Sequence, residues 1–471
     1  MKETNERKGE PVAGLKPGIS FWEALLLLMV LILDLGLCIV LGRTPPHIPI
    51  LLFLALLLLW GRIRGFSWDT IHGGIAKGVS PGIIPLLIFI LIGVLVSSWI
   101  AAGTIQTIAF YAYALMSETW FLSFTFAVCT AIGLALGSSF TTISTVGIVF
   151  MTVGGMMGIP VGWVAGAIVS GAFLSNNLSP LSDTANLAAG IGRIDVMRHI
   201  LHASKTSGIA AMIALGGYFL LDHHGHETGG QELGYLMNAL DMYYPISLWA
   251  LLPVMVILLS SWRRIPAIPT LMGSIATAIL VYVCQSGMDA WQDIPSIIMS
   301  GYISHTGIDG LDAFLSRGGM MSMMGSVVLI ILALAMGGLL VELSIIPVCI
   351  QRIAKYVCSP RRLVAGTVMT SVLVNLFAGE QYLSMILPGE TFGSLYERLY
   401  LKKVFLTRTL VDAGVAVNAL VPWGVSGTFI TGTLGISPIE YIPYAFYPMV
   451  IPLCTLAFSL FLSAGSANGR K

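Results

Sequence analysis

The chain has 471 residues, of which 56% are hydrophobic and only 10% charged, and its 24 basic and 23 acidic residues leave a net charge of +1. A mean hydropathy of +0.88 excludes a soluble globular domain and points to a polytopic membrane protein. The near-zero charge, with no basic run interleaved with aromatics, excludes a nucleic-acid binder.

Residues 1–20 form a short tail of mixed sign (Lys2, Glu3, Glu6, Arg7, Lys8, Glu10, Lys16), read as cytoplasmic. Phe21 to Leu41 is a first span, too long for a cleaved leader and followed by no small-residue cleavage site. Residues 21–61 are accordingly N-terminal membrane spans. Further apolar runs of spanning length lie at Gly82 to Ala101, Ser204 to Leu221, Pro245 to Ser261, Ile268 to Cys284, Ser322 to Val341 and Ile442 to Leu462. With the shorter, Gly- and Pro-interrupted stretches between them, the expectation is an all-α polytopic membrane protein with about 10–13 membrane segments.

Arg62 and Arg64, then Arg193, Arg198 and Lys205, then Arg263 and Arg264, then Arg352, Lys355, Arg361 and Arg362 collect between spans and predict the cytoplasmic side. Long loops at Asp222 to Tyr244 and Ser286 to Arg317 carry Asp222, Glu227, Glu232, Asp241, Asp289, Asp293, Asp309 and Asp312 and predict the outer side. Both termini then face the cytoplasm, across a cytoplasmic membrane. The six cysteines are scattered and read as buried small hydrophobes. Asp222-His223-His224-Gly225-His226 reads as solvated outer loop, with a divalent-metal clutch or an external pH sensor as the alternatives. His199 and His202 stand at ligand spacing without a third ligand, and Trp60, Trp249 and Tyr441 read as interfacial anchors.

Glycine and proline spacing suggests an internal duplication. Gly74 precedes Gly93 by 19 residues (93 minus 74), as Gly319 precedes Gly338 (338 minus 319). Gly137 precedes Pro180 by 43 residues (180 minus 137), as Gly379 precedes Pro422 (422 minus 379). The span after Gly74 starts beside Arg62 and Arg64, whereas the one after Gly319 starts from the acidic loop, so the halves cross in opposite senses. Two inverted-topology repeats with broken helices and re-entrant hairpins follow, with ion sites expected where broken segments of the two halves meet. The divisions are repeat 1 at 62–203, linking and scaffold spans with outer loops at 204–317, repeat 2 at 318–440, and a final span with cytoplasmic tail at 441–471.

The broken segments carry the polar chemistry: Gly137 to Thr142, Asn176 to Asn186, Gly379 to Ser384 and Pro422 to Thr428. Ser179-Pro180-Leu181-Ser182-Asp183-Thr184-Ala185-Asn186 gathers a carboxylate, an amide and three hydroxyls around a proline. An ionisable group at membrane depth costs ~2.5–3.5 kcal/mol on insertion scales, and a small hard cation offsets that cost through oxygen ligands.

In Leu178 to Ala188, Gly379 to Ser384, Leu387-Pro388-Gly389, Val421-Pro422-Trp423 and Gly432 to Gly435, and more loosely around Thr407 to Leu410, the chain resembles the NhaC-type family of sodium/proton antiporters, within the ion-transporter superfamily. The resemblance runs from near Gly73 to the C-terminus. It implies a cytoplasmic-membrane antiporter exchanging Na+ for H+ or a small organic acid. Asn176 and Asn177 stand where family members usually show Asp and Lys, Glu380 where they carry Asp, Gly424 where they carry Asn, and Val411 where they carry an acid. These departures remove or move charge.

An antiporter needs a group that holds a proton or a metal ion but not both, and a carboxylate in a cavity meets that need. Asp183 is the first candidate, with Asn177, Ser179, Ser182, Thr184 and Asn186 as neutral oxygen donors of a Na+ site. Helix capping beside Pro180 is the competing reading. Glu380 with Gln381 and Ser384 is the second-half counterpart, while Thr141, Thr142, Asp412, Ser426 and Thr428 are candidate cavity-lining residues. Asp34 and Glu342 face a neighbouring helix or the interface on this reading. Arg408 offers a partner for an anionic substrate, the competing position being cytoplasmic or interfacial.

Expected partners are Na+, H+, the lipid bilayer, a second copy in a homodimer and, on the alternative reading of Na+-coupled carboxylate exchange, a small carboxylate. No resident cofactor is expected. The sequence shows no nucleophile and base constellation and no phosphate-binding glycine loop to support an enzyme.

Overall fold

The computed structural model describes residues 18–41, 44–115, 120–223, 240, 242–244, 246–263, 265–308, 311–312 and 315–460, and among them every regular element is helical. Six helices are long and apolar enough to cross a bilayer unaided: Phe21–Cys38, Trp68–Ala101, Val161–Leu178, Val196–His223, Ala267–Ser286 and Met320–Glu342. Two bent pairs, Lys403–Leu420 with Val425–Leu434 at 45° and Pro438–Tyr444 with Phe446–Leu460 at 51°, raise the number to eight. Four shorter apolar helices, His47–Ile63, Phe121–Leu136, Ser139–Gly155 and Leu248–Ser260, supply the other apolar pieces.

The short pieces have a local cause. Phe121–Leu136 ends at Gly137, whose φ of 70° lies in the left-handed region that only glycine enters freely, and Ser138 then caps the next helix by accepting from the Thr141 N–H. Pro360–Ala378 ends the same way at Gly379, with φ 67°. Val161–Leu178, which the apolar pattern leaves unmarked, is the most enclosed of the six long helices. Its glycines explain why: a Cβ on Gly166 would lie 2.5 Å from the Tyr444 carbonyl oxygen, and one on Gly171 2.6 Å from that of Phe126. Small residues rather than bulky apolar ones let this helix sit at the centre.

Helix order runs twice along the chain. Trp68–Ala101, Thr104–Leu115, Phe121–Leu136, the break at Gly137, Ser139–Gly155, Val161–Leu178, a break at Pro180 and Asp183–Gly192 are followed later by Met320–Glu342, Ile345–Lys355, Pro360–Ala378, the break at Gly379, Leu383–Arg398, Lys403–Leu420, a break at Pro422 and Val425–Leu434. The leading helices of the two series touch backbone to backbone. A Cβ on Gly78 would meet Gly338 Cα at 2.6 Å, one on Gly82 would meet Leu334 at 2.1 Å, and one on Gly93 would meet the Gly319 carbonyl oxygen at 2.3 Å. Partner numbers fall as position rises, so the two helices run antiparallel. Gly319 N–H donates to the Gly93 carbonyl at 2.7 Å, and Lys77 pairs with Glu342 at 2.9 Å across the same crossing.

Several local expectations change. Val196–His223 begins eight residues before the expected Ser204 (204 minus 196), so Arg198, His199, His202 and Lys205 lie on its first turns rather than in a loop. Of the cysteines only Cys129 and Cys454 are buried, while Cys284 and Cys358 are exposed at helix ends. Trp249 is 72% exposed, as an interfacial anchor should be. Tyr441 instead is fully buried and donates to the Ala419 carbonyl at 2.6 Å, which makes it a strut under the break near Pro422. Asp34 accepts from the Cys38 thiol at 3.5 Å. Asp222 is no free loop acid: its carboxylate accepts from the Leu122 and Ser123 N–H groups at 2.9 and 3.0 Å, capping the Phe121–Leu136 helix from a distant segment. His224 and His226 lie outside the described residues.

Candidate functional site

The polar residues of the broken segments fall into three neighbouring places. In the first, Asp183 opens the helix Asp183–Gly192 just past its cap, Ser182. Its carboxylate borders a cavity of ≈ 590 Å³ shared with Pro81, Pro85, Ser138, Thr141, Pro266 and Tyr382. Asp183 is exposed to that space. One carboxylate oxygen accepts from the Thr184 N–H at 2.8 Å and the other from the Tyr382 hydroxyl. Tyr382 belongs to the second series of helices, so the two series join at this carboxylate. Thr141 lines the cavity, whereas Thr142 is turned inward and donates to the Ser138 carbonyl at 2.9 Å.

Hydroxyls and amides around Asp183 hold the break in shape. Ser182 Oγ donates to Asn176 Oδ1 at 3.0 Å, Asn176 Nδ2 donates to Thr184 Oγ1 at 3.1 Å, and Ser182 and Thr184 hydroxyls lie 2.9 Å apart. Ser179 donates to the Leu134 carbonyl at 2.9 Å, and Asn186 Nδ2 donates to the Pro180 and Ser182 carbonyls at 2.9 and 2.7 Å. These side chains satisfy carbonyls at the helix end before Gly137 and at the break around Pro180.

In the second place, Glu380 is buried and accepts from the Leu383 N–H at 2.7 Å, at the start of Leu383–Arg398. Ser384 donates to the Gln381 and Gly414 carbonyls at 2.7 and 2.9 Å. Gln381 Oε1 has no hydrogen-bond partner. The two breaks of the second series meet here, where the Val425 N–H donates to the Gly379 carbonyl at 2.8 Å. Asn418 bridges them, donating to Asn375 Oδ1 at 2.9 Å and accepting from the Ser426 N–H at 2.9 Å. The buried hydroxyls of Ser426 and Thr428 are unpartnered. Only Gln381 separates Glu380 from Tyr382, so this centre abuts the Asp183 cavity.

The third place gathers residues that spacing did not bring together. Asn177 turns away from Asp183 and donates to the Tyr447 hydroxyl at 2.9 Å, which lies 3.1 Å from Ser207 Oγ. Asp412 is 0% exposed, and its Oδ2 accepts from Thr206 at 3.0 Å and Thr455 at 2.5 Å. Arg408, one helical turn earlier, is 1% exposed, so it is enclosed by protein; its guanidinium lies over Phe405 at 5.3 Å and Phe458 at 5.4 Å. His199 Nδ1 meets Thr407 Oγ1 at 3.0 Å, and His202 packs edge-on to Phe405 at 4.7 Å. No three His, Cys, Asp or Glu side chains cluster as a metal site among the described residues.

Sequence reasoning missed Tyr382, Tyr447, Thr206, Ser207 and Thr455 as site neighbours. Thr206 and Ser207 left a faint signal as adjacent hydroxyls inside a span. Tyr447 left none, because its partner Asn177 is 270 positions away.

Residues 171–462 match the Na+/H+ antiporter family. The chain is 35% identical over 88% of its length, and 90% of the relative's, to the Na+/H+ antiporter NhaC of Alkalihalophilus pseudofirmus. It is 34% identical over 89% of its length, and 93% of the relative's, to the Na+/H+ antiporter NhaC of Bacillus subtilis. A malate-2H+/Na+-lactate antiporter of Bacillus subtilis is 30% identical over 84% of this chain and 85% of its own. Similarity of this extent, over nearly the whole of both chains, shows that the protein belongs to the NhaC-type Na+/H+ antiporter family.

Proposed function

We propose that this protein is a secondary antiporter that exchanges Na+ for H+ across the cytoplasmic membrane by alternating access, with Asp183 as the group that carries either ion. The observation that supports this reading is the position of the Asp183 carboxylate. It stands at a helix start, open to a cavity, with one oxygen held by Tyr382 from the other series of helices. A carboxylate there binds H+ or Na+ competitively, because either neutralises the same charge. Tyr382 ties its occupancy to the position of the second series. Glu380, buried beside that contact, is a second carboxylate in reach of the same path.

The repeated helix order and the antiparallel crossing of its leading helices support two inverted repeats that rock about the shared centre. In that scheme both termini face the cytoplasm. The hydroxyls of Ser179, Ser182 and Thr184 keep the break open around the carboxylate, and the neutral Asn176 keeps the charge of the site low.

In proteoliposomes, Na+ addition is expected to release luminal protons with no organic solute present, and Asp183→Asn to abolish the release. Unchanged release in Asp183→Asn overturns the assignment of the ion to Asp183. Proton movement that appears only when malate or lactate is supplied points instead to Na+-coupled carboxylate exchange, a reading supported by the relative of that activity and by the buried Arg408 guanidinium.

A further inference from the structure

The centre around Asp412 contains an imbalance that the Asp183 cavity does not explain. Asp412 is 0% exposed, yet its Oδ1 has no hydrogen-bond partner, and Asn177 Oδ1, also 0% exposed, has none either. One turn away Arg408 is buried with both Nε and Nη2 unpartnered. A buried carboxylate oxygen left bare is costly, and so is a bare guanidinium nitrogen. Yet no ion pair joins them in this conformation, since Asp412 spends its other oxygen on two hydroxyls and Arg408 lies against two phenylalanine rings.

We infer that Asp412 is the charged ligand of a second, fully enclosed monovalent-cation site, with Thr206, Thr455, Tyr447 and the free oxygen of Asn177 as its neutral oxygens and Arg408 as its internal competitor. Four elements converge there: Val161–Leu178, Val196–His223, the segment Val411–Val415 and Phe446–Leu460. The two groups that donate to Asp412 are hydroxyls, whose oxygens suit Na+, with the Cys454 thiol and the Arg408 guanidinium also near it. Val411–Val415 has π-helical geometry, which breaks the regular backbone ladder at the carboxylate itself, a feature frequent at functional sites. With a cation present, Asp412 is neutralised by it and Arg408 stays on the rings. When the cation leaves, the guanidinium swings the one turn to the carboxylate and neutralises it, so the empty site does not hold an uncompensated negative charge.

The inference deepens the antiport reading, so it is tested by binding rather than by flux. Full-length protein in detergent is heated in NaCl or in choline chloride at matched ionic strength, and the Na+-dependent rise in unfolding temperature is titrated. In an Asp183→Asn background the rise should persist and saturate, and adding Asp412→Asn should remove it. Arg408→Met in the same background should lower the half-saturating Na+ concentration by about tenfold, the gain from ~1.4 kcal/mol less competition. Thr455→Val, which keeps the buried charge and the fold, should weaken Na+ by a similar factor, and Thr455→Ser should restore it. A rise that survives in Asp183→Asn/Asp412→Asn, or that is already lost in Asp183→Asn alone, overturns the site. An Arg408→Met protein that unfolds at lower temperature with an unchanged Na+ midpoint overturns the competitor role. Loss of flux without loss of this binding would strike the exchange reading alone.

Discussion

Asn176 and Asn177 show how adjacent residues divide between two centres. Neighbours on an α-helix point about 100° apart, so Asn176 reaches the Ser182 and Thr184 hydroxyls while Asn177 reaches Tyr447 on another helix. Proximity in sequence grouped Asn177 with Asp183; helix phase gives that place to Asn176 instead. The Ser182 to Asn186 hydroxyls and amides were legible as a group because they bond mostly to one another and to nearby backbone, and the Asp412 centre was not, because Thr206 lies 206 positions away. Asp312 makes a residue-scale point in the loop between the helices Ile294–Met299 and Met320–Glu342. The Ser304 hydroxyl at 2.5 Å, the Thr306 N–H and hydroxyl at 2.9 and 2.7 Å and the Gly307 N–H at 3.0 Å all donate to its carboxylate. Those bonds, led by that of Ser304, hold it well below the usual carboxylate range. A depressed folded-state pKa stabilises the loop fully above the unfolded value near 3.8 and progressively less as pH falls below it. Hydrogen exchange of the 302–308 amides should therefore be slow and insensitive to this group at pH 5 to 7, after correction for intrinsic rates, and should accelerate below about pH 4. Asp312→Asn should remove that acid-dependent step, and an unchanged step would refute the role.

At the level of elements, glycine decides which helices meet. Gly78 has Leu334 and Gly338 backbone where its Cβ would be, with the Leu334 carbonyl oxygen only 2.4 Å from that position. Backbone cannot yield as a flexible side chain can, so Gly78→Ala must push the two helices apart. A destabilisation of about 1–3 kcal/mol is expected, read as a lower unfolding temperature in detergent. Gly73→Ala, on the same helix with nothing within 4 Å of its would-be Cβ, should leave that temperature within a degree or so or raise it, since Ala is the better helix former. Equal effects of the two substitutions would show that the crossing does not govern stability. Hydropathy located the spans well where bulky apolar residues lie on the outside of the protein, as in Ala267–Ser286. It passed over Val161–Leu178 because a helix enclosed by protein is chosen for small size and hydrogen bonding.

For the molecule as a whole, glycine and proline spacings were enough to suggest a duplicated order of helices, since breaks need those residues at matching places. Sidedness came from Lys and Arg alone, and it can be tested on native cysteines. Cys284 and Cys358 are both exposed, the first close to the acidic loop and the second between Arg352 and Arg361. A membrane-impermeant maleimide should label Cys284 in intact cells and Cys358 in everted vesicles, with Cys→Ser variants identifying each band. The opposite pattern would invert the topology, and labelling of both from one side would end the inverted-repeat reading.

The glycine crossing carries one more implication. Each leading helix offers the other a bare strip of main chain, with Gly78 on one set directly against Gly338 on the other. With no side chain on either strip to interlock, the two main chains bear directly on one another, and the spacing of the crossing is set by the peptide backbone itself.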